Sequence, residues 1–529
     1  MSAANKKLGV LSLAAIVVSA MIGGGIFSMP QNIAQGASVM AVAAGWLISG
    51  IGIFFLASTF RILSEVCPDA ITGKIAASPL KITGSKRSYA VITNCTYDGL
   101  CYNAKKVEGY MVKASDIIHF DEAWYAYAKF NEMYEDHFAM RDRKTDECEA
   151  TVFATHSTHK LLTALSQASY IHMRCGKKKI PFERLNQGYT LNASTSPLYA
   201  ICASNDVAVK MMADNGEALT GEVIAEAVDF RQAMAKLERE LAQKNSWFFK
   251  VWNPPEVTDP ASGKVYDFAD APAELLTSEQ SCWQLRPGEK WHGFEHLSEK
   301  NWVMLDPIKV SILAPGMGDD GNILGCGVPA ALVSKFIYNA GIVPTRTTDF
   351  QLMFLFSIGI TKGKWVTLLN ALLRFKELYD RNTPVSDVFP QLVKDFPEKY
   401  ADAGIMDLGN RMFEHLRKFR PDEKLNNAFE VLPEQVMTPR QAYMEMVKGN
   451  TELIPSHKLY NRIAANAVIP YPPGIPMLMS GERFSSANDP HIEYLRSLEI
   501  WDKEFPGFEH ATEGCTVISG IYHVPCVIE

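Results

Sequence analysis

Two stretches of about 22 residues without a charged side chain, Leu8 to Met29 and Val39 to Phe60, constrain this chain more than any other feature. Each is long enough to cross a hydrocarbon core of roughly 30 Å. The connector from Pro30 to Gly36 is uncharged, whereas Lys6 and Lys7 precede the first stretch and Arg61 follows the second. That lysine and arginine bias predicts a membrane hairpin over residues 1–68, with both flanks and everything after them in the cytoplasm. A secretory signal peptide also begins with a charged start and an apolar run, but the second stretch argues against it. Within the first stretch, Ile22-Gly23-Gly24-Gly25-Ile26-Phe27 is awkward for a plain helix, since each glycine costs about 1 kcal/mol relative to alanine. Two uses of such a run stay open: close helix packing, and a broken helix whose freed backbone groups face a substrate.

After residue 69 the pattern changes to short apolar runs alternating with amphipathic stretches, the mark of strand-helix units around a largely parallel sheet. Tyr89 to Thr93, Asp116 to Phe120, Thr151 to Thr155 and Ser169 to Met173 read as strands, and residues 204–214 and 219–243 as helices. Strands at 309–314 and 352–360 flanking a helix at 328–340 suggest a second, smaller α+β domain, so the expected units are 69–300 and 301–529. The net charge of −7 argues against nucleic acid as a partner, because no basic face stands out. Ten scattered cysteines without a C-x-x-C pair suggest free thiols, with neither a disulfide framework nor a metal site.

Two residue groups fall just beyond the carboxyl ends of strands, where such sheets place ligands. The first is His119-Phe-Asp-Glu-Ala-Trp124, and the second is Thr155-His-Ser-Thr-His-Lys160. Taken singly, Asp121 is a helix cap or turn residue and Lys160 a solvated charge. Taken together they match one chemical requirement. Pyridoxal phosphate needs a lysine amine to bind its aldehyde covalently, and a carboxylate at its pyridine nitrogen to keep that nitrogen protonated. The hydroxyls of Ser157 and Thr158 are placed to donate to a phosphate, and His159 to contact phosphate or ring, with simple packing the other reading for the threonine or the histidine.

These segments, with Asn94-Cys-Thr-Tyr-Asp-Gly-Leu-Cys-Tyr-Asn103, Leu305-Asp-Pro-Ile-Lys-Val310, Gly327-Val-Pro-Ala-Ala-Leu-Val333, Phe354-Leu-Phe-Ser-Ile-Gly359 and Pro470-Tyr-Pro-Pro-Gly-Ile-Pro476, resemble the bacterial ornithine/lysine/arginine decarboxylases over residues 69–529. Pro344-Thr-Arg-Thr-Thr-Asp-Phe350 and Thr195-Ser-Pro-Leu-Tyr-Ala-Ile-Cys202 are most similar to the acid-inducible arginine decarboxylases. Residues 1–66, with Met21-Ile-Gly-Gly-Gly-Ile-Phe27 and Phe60-Arg-Ile-Leu-Ser-Glu65, resemble the first two helices of basic amino-acid antiporters. The two texts meet around Val66-Cys-Pro-Asp-Ala70, as in a fusion of neighbouring genes. No further uncharged run of that length follows, so transport by this chain alone is not expected.

The resemblance implies an α/β chain: a partial fold-type-I, aspartate aminotransferase-like cofactor domain and a carboxy-terminal α+β domain, preceded by the two transmembrane helices. It implies a carbon-carbon lyase that decarboxylates L-arginine to agmatine with pyridoxal 5'-phosphate. Lys160 then binds the cofactor covalently and Asp121 partners its pyridine nitrogen, with Ser157, His159, Ala123 and Trp124 as neighbours. Ser194 and Thr195 would reach the phosphate site of a neighbouring subunit. Asp349 is the candidate for the substrate's guanidinium, which a carboxylate recognises through two parallel hydrogen bonds. Family members are cytoplasmic homodimers through the cofactor domain. They begin with a wing domain, a linker and the first half of that domain, so a tethered, catalytically impaired chain and a mixed dimer with a full-length homologue are the other expectations. The missing half would also leave a sheet edge and apolar surface uncovered.

Overall fold

The computed structural model describes residues 89–529 except 142–148, 178, 195, 295–296, 298, 319–321, 472–473 and 487–488. The expected hairpin of residues 1–68, both of its spans and Thr195 lie outside the described residues. Among the described residues, no helix is long and apolar enough to cross a membrane.

The first sheet is built from β1 (Ala90–Thr93), β3 (Ile117–Asp121), β4 (Thr151–His156) and β5 (Tyr170–Arg174), in that order. The first three run parallel and β5 closes the sheet antiparallel. Parallel strands are covered on both faces and so read as nearly continuous apolar runs, here Ile-Ile-His-Phe in β3 and Thr-Val-Phe-Ala in β4. Ile118, Phe120, Val152 and Ala154 are fully buried. Between β1 and β3 the chain makes a short strand, β2 (Leu100–Tyr102), and a helix, α1 (Ala104–Met111), whose amino end is capped by the Asn103 side chain accepting from the Lys106 N–H. The register pairs Asp121 with Thr93 on one side and Thr155 on the other, so the three carboxyl ends meet at one edge of the sheet. All four expected strands are present, each within about a residue of its expected limits.

β4 runs into a single helical turn, α2 (Thr158–Leu161), which carries Lys160. The helix α3 (Phe182–Asn192) has no buried residue, and α4 (Tyr199–Gln243) is 45 residues long. Two helices were expected in place of α4, separated near Gly216. The glycine instead serves packing inside one helix, since a Cβ there would sit 2.8 Å from the Phe130 ring. Burial along α4 starts at Ala208 and recurs at Met212, Gly216, Thr220, Ile224 and Ala227, a one-sided stripe at helical spacing.

A second sheet follows: β6 (Lys250–Val251), β8 (Lys309–Leu313), β10 (Gln351–Leu355) and β9 (Arg346–Thr347) pair antiparallel, with β8 and β10 central and α5 (Ala330–Asn339) between them in sequence. The strand expected over 352–360 stops at Leu355, and Gly359 turns the chain with φ +89°. β7 (Val303–Leu305) pairs with β2, matching Leu100 to Leu305 and Cys101 to Met304. The expected division at residue 301 therefore cuts through a single core, which joins Cys101, Tyr134 and Phe230 to Met304, Val310, Leu352, Leu372 and Leu416. The parallel sheet packs a smaller core of its own, with Ile118, Phe120, Val152 and Ala154, and a carboxy-terminal core from Ala428 onward holds Leu459, Phe484, Leu495, Tyr522 and Val524. The latter is covered by a three-stranded antiparallel sheet of β11 (Thr451–Pro455), β12 (Thr516–Ile518) and β13 (Ile521–Val527).

Candidate active site at the carboxyl edge of the parallel sheet

Because β3 and β4 are parallel and in register, the residues leaving them lie side by side. Asp121 ends β3, and its Oδ1 accepts the Ala123 N–H at 3.1 Å, a turn that brings Trp124 back over the sheet edge. Lys160 leaves β4 one turn later, and its Nζ lies 5.0 Å from the centre of the Trp124 indole. Tyr97 packs on the same indole at 5.3 Å between centroids. Loss of hydration around the amine lowers the Lys160 pKa, Lys309 adds to that, and Asp121 opposes it. A lysine meant to attack a carbonyl carbon must be neutral, and the loss of hydration favours the neutral form.

His119 lies two residues before Asp121, on the same face of β3. The Tyr89 hydroxyl hydrogen-bonds its Nδ1, and the Thr155 hydroxyl lies 3.1 Å from its Nε2. Burial lowers the His119 pKa against the opposing charge of Asp121, so the ring is neutral at physiological pH. Burial and the nearby Asp121 carboxylate push the Tyr89 hydroxyl up to about 12.

The other expected residues divide. The Ser157 hydroxyl makes no capping bond to its own helical turn. His159 is held through Nδ1, which donates to the Ala168 carbonyl at 2.8 Å. Thr158 does not join the group, because its hydroxyl is turned inward and donates to Asn205 on α4. Ser194 stands in an exposed loop, where its hydroxyl accepts the Ser196 N–H at 3.1 Å, and no described contact links it to Lys160. Asp349 also stands apart. The charges facing it are His510 and Asp422, and Tyr494 lies near, all in the carboxy-terminal unit. Burial pushes its carboxyl up to about 6, with His510 opposing.

Three features were not anticipated from the sequence. Glu122 is completely buried behind the site and accepts from the Ala139 N–H at 2.8 Å and from Asn94 Nδ2 at 3.3 Å, with His156 Nε2 at 3.0 Å from its other oxygen. Lys309, also completely buried, brings its Nζ to 5.8 Å from the Trp124 ring centre. Its ammonium donates to Cys95 Sγ at 2.8 Å and to the Thr96 carbonyl at 3.2 Å. Asp306 completes the cluster and accepts from Tyr127 and, at 2.8 Å, from Tyr134. Lys309 is 214 residues from Cys95 in sequence, and no local spacing announces that meeting. A wide groove elsewhere, lined by Arg411, His415, Glu499 and His510, contains none of the expected site residues.

Comparison with known proteins agrees with this architecture. Residues 55–364 match the family model described as Orn/Lys/Arg decarboxylase, major domain, and residues 422–528 match the one described as Orn/Lys/Arg decarboxylase, C-terminal domain. The chain is 60% identical over 466 residues to the biodegradative arginine decarboxylase of Escherichia coli K12, covering 88% of this chain and 62% of that protein. It is 40% identical over 474 residues to a lysine decarboxylase of Pseudomonas aeruginosa, covering 88% of this chain and 61% of that protein. The solved structure of lysine decarboxylase A from P. aeruginosa superposes with a TM-score of 0.75 at 40% identity, covering 88% of this chain and 61% of that one. The E. coli constitutive lysine decarboxylase superposes with a TM-score of 0.72 at 36% identity, covering 83% and 58%. The chain thus spans about three fifths of the length of these relatives. With both family models matched in order and the fold shared with solved members, the chain belongs to the Orn/Lys/Arg decarboxylase family.

Proposed function

We propose that this chain carries the pyridoxal-phosphate-dependent decarboxylation of L-arginine to agmatine and carbon dioxide. The observation that carries the reading is the convergence of the Lys160 amine and the Asp121 carboxylate beside the Trp124 indole, at the carboxyl edge of a parallel sheet. The residues present fit the cofactor: an exposed amine with a lowered pKa suits its aldehyde, and a carboxylate beside a neutral histidine suits its ring nitrogen. Identity of 60% to a protein named as an arginine decarboxylase supports arginine over lysine as substrate.

The enzymes of this family depend on pyridoxal phosphate, which when bound supplies an electron sink for the pair released as carbon dioxide leaves. The chain's own residues have the remaining tasks. Lys160, whose amine is exposed beside Trp124, would hold the cofactor through its aldehyde. Asp121 would face the pyridine nitrogen and favour its protonated form, and the Ala123 N–H fixes the orientation of its carboxylate. Trp124 walls the site, excludes water from one side of the amine and limits how the substrate lies. Ser157 and His159 flank the cofactor, His159 in the orientation set by Ala168.

The test is the absorbance spectrum of the purified full chain with added pyridoxal phosphate, run beside Lys160→Ala, followed by an agmatine assay with arginine. A Lys160-dependent spectral change together with agmatine is the expected result. Neither signal from a folded chain overturns the reading.

The finer parts of the proposal concern assembly and place. The uncharged runs at 8–29 and 39–60 support a tether that holds the decarboxylase part at the cytoplasmic face of a membrane, and flotation with lipid vesicles tests it. The exposed apolar side chains of α3 and of the start of α4, Phe182, Tyr189, Leu191, Leu198 and Tyr199, support a subunit contact in a homodimer or in a mixed dimer with a full-length homologue.

A further inference from the structure

We propose that Cys95 and Cys101 form a peroxide-responsive dithiol beneath the Trp124 wall, with Cys95 the attacking sulfur and Cys101 the resolving one. The inference rests on the geometry around Lys309 and stands whether or not the cofactor reading holds.

A tight hairpin sets the two cysteines opposite each other. The Thr96 N–H donates to the Leu100 carbonyl at 3.0 Å, the Leu100 N–H returns to the Thr96 hydroxyl at 3.0 Å, and Gly99 turns the tip with φ +88°. The residues flanking that pair are Cys95 and Cys101, and side chains directly opposite on such strands have Cβ atoms about 5 Å apart. Their sulfurs and the Asp306 carboxylate all lie within 4.8 Å of one another, and all three residues are buried. Such a trio has the ligand types of a metal site, but the Lys309 ammonium already supplies the cation, 2.8 Å from Cys95 Sγ.

The two thiols are not equivalent. Burial raises the pKa of both, yet hydrogen bonding from Cys101 and the charge of Lys309 bring Cys95 below its ordinary value. Cys101 is pushed well up by burial and by Cys95, and its thiol points to the Gly99 carbonyl at 3.6 Å. Buried thiols are ordinarily inert, and a cationic partner is what makes one a nucleophile. The cluster lies only one side chain below the surface, since Lys309 rests on Trp124, which also packs against the exposed Lys160.

The chemistry balances with a hydroperoxide as oxidant. The Cys95 thiolate attacks one peroxide oxygen, the O–O bond breaks, and the departing hydroxide takes a proton from the Lys309 ammonium to leave as water. Cys95 is then a sulfenic acid and Lys309 a neutral amine. Cys101 attacks the Cys95 sulfur, the S–O bond breaks, and the hydroxyl leaves as a second water with the Cys101 proton. Two thiols lose two electrons in total, and one peroxide becomes two waters.

The experiment treats the full chain with graded hydrogen peroxide, alkylates it in denaturant and digests it with trypsin. Cys95 and Cys101 fall in one tryptic peptide, Ser88 to Lys105, so the disulfide appears as that peptide without alkyl labels and lighter by two hydrogens. The exposed Cys202 and Cys326 are internal comparators. The expected result is loss of both labels from the peptide at doses that leave Cys202 and Cys326 alkylated. In Cys101→Ala a dione reagent should trap a sulfenic acid at Cys95, and Lys309→Met should slow the oxidation by about tenfold or more as the thiolate fraction falls. Full alkylation of the peptide at doses that consume Cys202 and Cys326 overturns the proposal, and a trapped sulfenic acid at Cys101 in Cys95→Ala overturns the assignment of roles. The wild-type comparison decides the matter if a variant does not fold.

Discussion

Lys160 and Lys309 share one indole: their amines lie 5.0 Å and 5.8 Å from the centre of the Trp124 ring. One lysine is exposed and the other completely buried, so a surface amine is paired through an aromatic wall with a charge that solvent does not screen. Cation–π attraction of about 1 kcal/mol steadies each, while the two charges repel.

That repulsion predicts a pH shift. Lys309 lowers the Lys160 pKa, so Lys309→Met should raise it and move the reaction of Lys160 with pyridoxal phosphate toward higher pH. Borohydride trapping across pH, read by mass spectrometry at Lys160, measures this directly. An unchanged profile from a folded variant would show that the two amines do not communicate.

Asp121→Asn acts on Lys160 in the opposite sense. Asp121 raises the Lys160 pKa, so its neutral analogue should shift that same trapping profile toward lower pH. Under the proposed function, turnover of arginine should also fall by about 100-fold or more, because a fixed charge at the reacting group is lost. Profile and turnover are separate readouts, and only the second depends on the cofactor reading.

Most of the parallel sheet was legible in the sequence, and for a physical reason. β3 and β4 are buried on one face and half-buried or buried on the other, and the edge strand β1 buries Ile92, so each is a dense apolar run that turn residues interrupt sharply. The placement of Asp121 and Lys160 at one edge of the sheet was legible too, because one ends such a run and the other follows one within a helical turn. The far side of the site was not. Lys309 opens the apolar strand β8, where a lysine reads as a strand residue facing water, and only the pairing of β2 with β7 brings it to Cys95. Thr158 and Asp349 stand apart from Lys160 for a related cause: side-chain surroundings are set by α4 in one case and by the carboxy-terminal unit in the other, and neither shows in local sequence.

Asp349 carries a pH prediction of its own. Its carboxyl is pushed up to about 6 in the folded chain, while an unfolded aspartate titrates near 3.9. Between these values the folded state holds the extra proton, so this residue's contribution to stability falls as pH rises through that window. Asp349→Asn should therefore stabilise the chain at pH 7, with the advantage fading as the pH falls to about 4. Urea midpoints of both proteins at the two pH values test it, and an equal difference at both would sink the assignment.

Arg231 is the buried cation on which the region around the site depends. Its guanidinium donates to the carbonyls of Trp252 at 2.8 Å, Pro307 at 3.0 Å and Lys309 at 2.8 Å, and its central carbon lies 5.3 Å from the Trp283 ring centre. Arg231→Met keeps the volume but leaves those carbonyls without donors, each costing about 1–3 kcal/mol when buried. We expect a loss of roughly 3 kcal/mol or more in chemical denaturation, with Lys309 mispositioned in what remains folded. A loss below about 1 kcal/mol would mean that water replaces the guanidinium.

The acceptors that Arg231 grips are all main-chain oxygens, contributed by Trp252, Asp306, Pro307 and Lys309. A clamp of that kind reads the path of the chain through its carbonyls rather than through its side chains' hydrogen bonds. Scaffold and chemistry thereby use different atoms of one loop: its backbone oxygens meet the guanidinium, while the carboxylate of Asp306 and the amine of Lys309 reach the thiol cluster, and the Asp306 charge alone also acts back on the arginine.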